Sequence, residues 1–202
     1  MDLGSQSVNG LLASIAAKQP TPGGGAVAGI LAALSTSLGQ MVLAYAEGKK
    51  EFSDHATLHD DCASLLRAAS DEALVLAEAD ADAYAALHVL WKLDRNDPTR
   101  VAQWNETLQN AIDVPMRTID LSNRILVTLQ KLVGKTSAML VSDLVIAAIL
   151  AEAAARSARL NVEINIQQLD EGNSRTAMQE RATSLLAECK TISEAIENSC
   201  GI

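Results

Sequence analysis

Apolar residues recur along this chain at the three- to four-residue spacing of amphipathic helices, in segments separated by Gly, Pro or charged residues. No stretch alternates between apolar and polar residues for long enough to predict a sheet. Pro115 predicts a kink or a break in the fourth segment, after Val114. We expect an all-α fold, an antiparallel multi-helix bundle with long alanine-rich helices. The predicted helices are residues 8–18, 26–46, 55–93, 99–133, 142–169 and 175–198.

Composition narrows the class of protein further. The 202 residues are 49% apolar and only 2% aromatic, which fits one helical domain over residues 1–202 with closely packed small side chains. A formal net charge of −9 argues against a nucleic-acid partner. The N-terminal segment lacks the basic and apolar regions of a signal peptide, and the apolar stretch 139–150 is too short to span a membrane. With three widely spaced cysteines, we expect a reduced, cytoplasmic protein with no membrane partner.

Three consecutive glycines, Gly23, Gly24 and Gly25, precede the second predicted helix. They allow either a close-packed connection or a bare helix N-terminus, where free N–H groups attract an anionic or carbonyl-bearing ligand. Lys49 and Lys50 lie at the other end of this helix. About twenty helical residues rise roughly 30 Å, so the glycines and the lysines can contact one small ligand only if it is long or a second subunit contributes.

The segment EADADAY carries three acids at two-residue spacing, Glu78, Asp80 and Asp82. Positions i and i+2 of a helix point in different directions, so at least one acid is expected to turn inward. Asp80 is the candidate because its neighbours are apolar and it precedes Tyr84 by one helical turn. Burial would raise the pKa of Asp80 and suit it to general acid catalysis near neutral pH. Glu78 and Asp82 are interpreted as solvated acids.

Other polar residues lie in the apolar fifth segment. Asp143, which follows Ser142, either caps the helix or is a buried carboxylate that hydrogen-bonds a polar heterocycle. Asn161 and Asn165 are four residues apart and share a helix face. Their amides are expected either to pair with each other or to bind a ligand that has both donors and acceptors.

A metal site is a further hypothesis. His55, His59 and Cys62 fall at i, i+4 and i+7 of one helix face, a spacing that suits zinc ligands. The rest of the chain supplies no second cluster and the segment is polar enough to be solvated, so we expect no metal. Trp91 and Trp104 are interpreted as core or interface residues.

Six blocks in order resemble the formiminotransferase-cyclodeaminase C-terminal family, which includes bacterial methenyltetrahydrofolate cyclohydrolases. The blocks cover nearly the whole chain and are PTPGGGAVAGILAAL, EGKKEF, DADAYAAL, AIDVPM, SDLVIAA and LNVEINIQQL. The resemblance implies an all-helical homodimer that acts on the one-carbon unit bridging N5 and N10 of tetrahydrofolate. It implies no metal or redox cofactor.

The expected reaction is that of a 5,10-methenyltetrahydrofolate cyclohydrolase, in which water opens the bridged ring to 10-formyltetrahydrofolate. One alternative is a cyclodeaminase, a lyase that forms the methenyl compound and ammonia from 5-formiminotetrahydrofolate. The other is a relative that binds a folate or another small molecule without catalysis. The chain shows no formiminotransferase domain, which favours the cyclohydrolase.

The resemblance also implies roles for particular residues. Catalysis is expected of Asp80, and the glutamate tail of the substrate is expected near Lys49 and Lys50, from the same or a partner subunit. One block departs from the family, because Thr136 and Ser137 stand where it usually has Gly-Asn. That departure bears on substrate choice and on activity. The remaining residues expected to bind substrate are Gly23, Gly24, Gly25, Ser142, Asp143, Asn161 and Asn165.

Overall fold

The structure is a computed structural model that describes residues 2–169 and 172–201. The described residues contain no strand, so the all-α prediction is confirmed. Two short 3₁₀ turns, Lys50–His55 and Ala138–Leu140, precede α3 and α5. The six helices are α1 (Val8–Ala16), α2 (Gly24–Ala44), α3 (Ala56–Trp91), α4 (Pro98–Gln130), α5 (Val141–Ile166) and α6 (Asn173–Cys200).

Each predicted helix exists, and the ends differ by a few residues. The sequence predicted a kink or a break after Val114; α4 continues through Pro115, so the break does not occur. α1 forms as predicted but contributes no fully buried residue, and Leu12 of its expected apolar stripe is exposed. Residues 170 and 171 of the predicted last connection lie outside the described residues.

Four helices, α2 to α5, pack in a ring in which each contacts the next and α5 contacts α2, and α6 covers α4 and α5. Close approach of α2 to α3 depends on Gly29, because a Cβ there would lie 2.8 Å from both the Ala73 carbonyl oxygen and Ala77 Cβ. The Ser35 hydroxyl donates to the Ala147 carbonyl oxygen at 2.7 Å and ties the middle of α2 to the first turns of α5. Along α2, Gly25 and Gly39 face Asp80 and Leu66 of α3, and the start of α2 lies by Asn161 of α5 whereas Ser35 contacts Ala147, so α2 runs antiparallel to both neighbours.

The outer faces of α2 and α5 stay apolar. Leu34 on α2 is 50% exposed, and Ile146, Ile149, Leu160 and Ile164 on α5 are 44–59% exposed. Gly24–Ala44 and Ala138–Ile166 are long and apolar enough to cross a membrane, a test that core helices of soluble proteins also pass. Both of these long apolar helices thus leave part of their apolar surface uncovered.

Candidate active site

A cavity of about 260 Å³ opens where the start of α2 meets the C-terminal parts of α3 and α5. Antiparallel packing explains this position, because it places the first turn of α2 beside the last turns of its two neighbours. Six of the ten predicted site residues line the cavity: Gly23, Gly24, Gly25, Asp80, Asn161 and Asn165.

Asp80 is the one acid in the cavity wall among the described residues. Burial against the helices raises the pKa of its carboxyl to about 6, and a hydrogen bond from the Ala26 backbone N–H opposes part of that rise. The Ala26 N–H is free to donate because it belongs to the first turn of α2, where backbone donors have no partner within the helix. A carboxyl with this pKa can both accept and release a proton near neutral pH.

The glycines have different roles at this contact. A Cβ on Gly25 would overlap the Asp80 carboxylate, so only glycine lets α3 bring its carboxyl against the start of α2. A Cβ on Gly24 would meet nothing within 4 Å, and one on Gly23 would meet only the Pro20 carbonyl oxygen, at 3.9 Å. Gly25 therefore satisfies the requirement for close backbone approach, whereas Gly23 and Gly24 form open wall.

Asn161 and Asn165 do not donate to each other. The Asn165 side chain donates through Nδ2 to the Ala111 carbonyl oxygen at 2.7 Å, and Asn161 Nδ2 donates to the Ser157 carbonyl oxygen at 3.2 Å. Of the two expectations, mutual pairing is thus not observed, and both residues line the cavity that a ligand would occupy.

Two aromatic side chains not predicted as site residues also line the cavity, Tyr84 and Trp91, the second of which was interpreted as a core or interface residue. The Tyr84 and Trp91 rings lie 5.9 Å apart between centroids and meet edge to face. They follow Asp80 by four and eleven residues, spacings that return to the same helix face, and this was the available signal. Such rings can hold a flat heterocycle. The other lining residues not predicted are Pro20, Thr21, Ala83, Ala111 and Ile164.

The remaining four predicted residues lie at the opposite end of the α2–α5 pair. Lys49 and Lys50 line a second cavity of about 530 Å³ at the end of α2, which Arg67 and His59 also line. Helical rise over the 21 residues of α2 separates these lysines from Gly24 by about 30 Å.

Ser142 and Asp143 also lie far from the Asp80 cavity, in the first turn of α5. Asp143 is half-buried and does not cap the helix, whose N-cap residue is Leu140. Thr136 and Ser137, which replace the family's Gly-Asn, precede the same helix end, and Ser137 is buried. Within one chain, therefore, the ten predicted residues form two groups.

The metal hypothesis finds no support in the side-chain geometry. Among the described residues, no three His, Cys, Asp or Glu side chains converge as a metal site would require. His59 Nε2 donates to the Lys135 carbonyl oxygen at 2.8 Å, and Cys62 is buried against α4.

Glu78, expected to be solvated, is partly buried and accepts the Leu3 N–H at 2.8 Å.

The fold and the site define a class of protein: an all-helical bundle with a cavity in which one carboxyl lies against a helix N-terminus. The formiminotransferase-cyclodeaminase family model matches residues 7–184. The chain therefore belongs to the formiminotransferase-cyclodeaminase family.

Individual relatives agree with this assignment. The mouse formimidoyltransferase-cyclodeaminase is 31% identical over 189 residues, which cover 92% of this chain but only 35% of the mouse protein. The chain thus spans about a third of the length of that relative. The methenyltetrahydrofolate cyclohydrolase of Methylorubrum extorquens is 28% identical over 201 residues and is covered to 95%. The crystal structure of the Thermotoga maritima formiminotetrahydrofolate cyclodeaminase superposes with a TM-score of 0.91 at 24% identity, over 98% of both chains, which supports the fold.

Proposed function

We propose that this protein is a folate one-carbon enzyme, a 5,10-methenyltetrahydrofolate cyclohydrolase in which Asp80 transfers the protons. The observation that most supports this proposal is the position of the Asp80 carboxyl. It lies in a cavity wall against the first turn of α2, and burial there raises its pKa to about 6. Two relatives named for reactions at this bridge, one cyclohydrolase and one cyclodeaminase, support the substrate class.

In the proposed reaction, the ionised Asp80 carboxylate takes a proton from water as the water oxygen attacks the bridging carbon. The tetrahedral carbinol then collapses as Asp80 returns this proton to N5 and the bond between carbon and N5 breaks. The hydroxyl proton leaves to solvent and the carbonyl forms on N10. One cationic methenyl compound and one water thus give 10-formyltetrahydrofolate and one proton, with no electron transferred and no cofactor required.

The alternative is the cyclodeaminase reaction, in which N10 attacks the carbon of the protonated formimino group, N5–CH=NH2+. Asp80 takes the N10 proton and delivers it to the resulting NH2 group, which leaves as ammonia and gives the cationic methenyl compound, so the same carboxyl serves both reactions. The match to the Methylorubrum extorquens cyclohydrolase covers 95% of that protein and favours the cyclohydrolase reaction. The identity to the mouse protein is higher, at 31%, and supports the cyclodeaminase reaction as the alternative.

We infer a soluble, cytoplasmic location from the same bacterial relative.

The test follows the methenyl chromophore by absorbance with each substrate. The proposal requires loss of the chromophore from methenyltetrahydrofolate, and its appearance from 5-formiminotetrahydrofolate would establish the alternative. Because the carboxylate form of Asp80 takes the first proton, kcat/KM is expected to rise with pH and to level off above a midpoint near 6. Asp80→Asn is expected to lower kcat by about 100-fold or more. An enzyme that turns over neither substrate, or an unaffected Asp80→Asn variant, contradicts the proposal.

We also propose a homodimer in which the two groups of site residues meet. Exposed apolar side chains lie on α2 and α5 between the two cavities, beside the exposed Arg156, and a two-fold axis there would set the two faces antiparallel. Lys49 and Lys50 of one protomer, with Ser142 and Asp143, would then approach the Asp80 cavity of the other. No cation lines the Asp80 cavity among the described residues, so an anionic substrate would gain from this arrangement.

A further inference from the structure

Pro115 removes one backbone hydrogen bond from the middle of α4. Proline has no N–H, so the carbonyl oxygen four residues earlier, that of Ala111, receives no donor from the helix. Ala111 is 5% exposed, and an unpaired carbonyl at such a buried place costs free energy. The Asn165 side chain of α5 supplies the missing donor, with Nδ2 at 2.7 Å from the Ala111 oxygen.

This contact fixes the orientation of the Asn165 amide. A rotation by 180° would place Oδ1 against the Ala111 carbonyl oxygen, where two acceptors repel each other. With one N–H of Nδ2 donated to Ala111, Oδ1 is the acceptor that Asn165 can offer to a ligand, beside the second N–H of Nδ2. Asn161 is oriented in the same sense, since its Nδ2 donates to the Ser157 carbonyl oxygen at 3.2 Å. Both residues line the Asp80 cavity, one helical turn apart.

Two residues one helical turn apart on α5 can therefore each offer an amide oxygen to a ligand in the cavity. Paired acceptors select a ligand edge that carries paired N–H donors, because a ligand lacking one donor leaves an acceptor desolvated and unpaired. The aminopyrimidine edge of a pterin has such donors in N3–H and the 2-amino group. The Tyr84 and Trp91 rings of α3 also line the cavity and suit a flat heterocycle.

We propose that Pro115 is a positioning residue that holds Asn165 as an acceptor, and that Asn165 and Asn161 together recognise the N–H donors of the substrate's aminopyrimidine edge. This inference rests on the proposed function for the identity of the heterocycle. In this arrangement, a proline inside α4 leaves the Ala111 carbonyl oxygen without a helical donor, and the Asn165 side chain of α5 donates a hydrogen bond to that oxygen.

Pro115→Ala tests the positioning role. Alanine restores a helical N–H for the Ala111 carbonyl, which competes with Asn165 Nδ2 and releases the amide. We expect KM to rise about fivefold with kcat nearly unchanged, because the interaction acts on substrate binding. Asn165→Ala should raise KM by a similar factor, and the double variant should be no worse than either single one, since both remove the same interaction. Effects that multiply in the double variant would contradict the proposal.

Pro98→Ala is the matched control. Pro98 is the first residue of the same helix and has no preceding helical carbonyl to free, so KM should stay unchanged. A readout independent of turnover is the side-chain amide signal of Asn165 in ¹⁵N-labelled protein. It should exchange slowly with solvent in the wild type and in Pro98→Ala, and rapidly in Pro115→Ala. Slow exchange in Pro115→Ala would overturn the positioning role even if activity fell.

Donor recognition is tested by calorimetric titration with 5-formyltetrahydrofolate and its 2-desamino analogue, neither of which needs to react. The wild type should bind the analogue about tenfold more weakly, and Asn165→Ala should narrow that difference. Equal binding of both compounds by the wild type overturns the inference. Absence of turnover with discrimination intact would instead contradict only the proposed reaction, so the two failures are distinguishable.

Discussion

Asp80 combines a buried carboxyl with a single backbone donor, and this combination has a measurable consequence for folding. Its pKa rises from 3.8 to about 6 because burial disfavours the charged form more than the Ala26 N–H favours it. In the unfolded chain the carboxyl loses its proton near pH 4, whereas in the folded protein it keeps the proton until about pH 6. Folding stability therefore falls as the pH rises through this window, by roughly 3 kcal/mol in total.

Asp80→Asn should consequently stabilise the protein at high pH. The neutral amide avoids burial of a charge, so urea unfolding at pH 8 is expected to show a gain of about 2 kcal/mol over the wild type. At pH 4 the wild-type carboxyl is protonated and the gain should disappear. A stability difference that is the same at both pH values would mean that ionisation of Asp80 is not its cause.

Gly25 and Gly24 form a matched pair of variants. Gly25→Ala places a methyl group where the Asp80 carboxylate lies, so Asp80 must move away from the Ala26 N–H. We expect kcat to fall by about tenfold or more, since small displacements of a catalytic group are costly. Gly24→Ala adds the same methyl group to open space and should leave kcat close to that of the wild type. Equal losses in both variants would indicate a general intolerance of the α2 start rather than a contact with Asp80.

At the scale of elements, the contact between α2 and α3 positions the site. Gly29 lets the two helices approach until its Cα faces Ala73 and Ala77, one helical turn from the Gly25–Asp80 contact. Gly25 and Gly29 thus both allow the close approach of α2 and α3, whereas Gly23 and Gly24 form open cavity wall. Small residues at this crossing explain how a chain with 2% aromatic residues still builds a narrow cavity.

α4 shows how one element can prepare another. Its internal proline does not break the helix, because tertiary packing holds the segment in register and Pro115 itself is buried. The Ala111 carbonyl oxygen receives no hydrogen bond within α4 and accepts one from the Asn165 side chain of α5 instead. The proline alone predicted a kink or a break at this position, and the bond from α5 explains why α4 tolerates the proline without a break.

At the scale of the whole molecule, the two groups of predicted residues lie apart within one chain. Complementation between inactive variants can test whether the groups meet across a dimer. Asp80→Asn and the double variant Lys49→Gln, Lys50→Gln should each be inactive as homodimers. If the groups meet across a dimer, each mixed dimer contains one site with both groups intact. Remixing equal amounts by mild denaturation and refolding should then restore about a quarter of wild-type activity.

Two outcomes would contradict this arrangement. Mixed dimers that stay inactive would mean that both groups act within one chain, and a monomer by sedimentation velocity would remove the dimer altogether. Ile149→Glu supplies an independent check, because a charge on the apolar α5 face should dissociate the dimer without unfolding the protomer. Full activity of monomeric Ile149→Glu would locate the complete site in one chain.

The sequence by itself determined the helices, the all-α class and the acid that turns inward. These features follow from local periodicity and from the chemistry of neighbouring residues, which act over one or two helical turns. It also determined that glycines at the start of α2 matter, although not that Gly25 carries the close contact.

Only the tertiary structure decided which of the predicted residues share a cavity. Antiparallel packing joins the start of α2 to the ends of α3 and α5, and it leaves Lys49, Lys50, Ser142 and Asp143 at the opposite end. The bond between Asn165 and Ala111 spans 54 residues, and the Gly25–Asp80 contact spans 55, so no local pattern could reveal either. Periodicity sets the direction of each side chain within its own helix, whereas the site depends on which helix ends become neighbours.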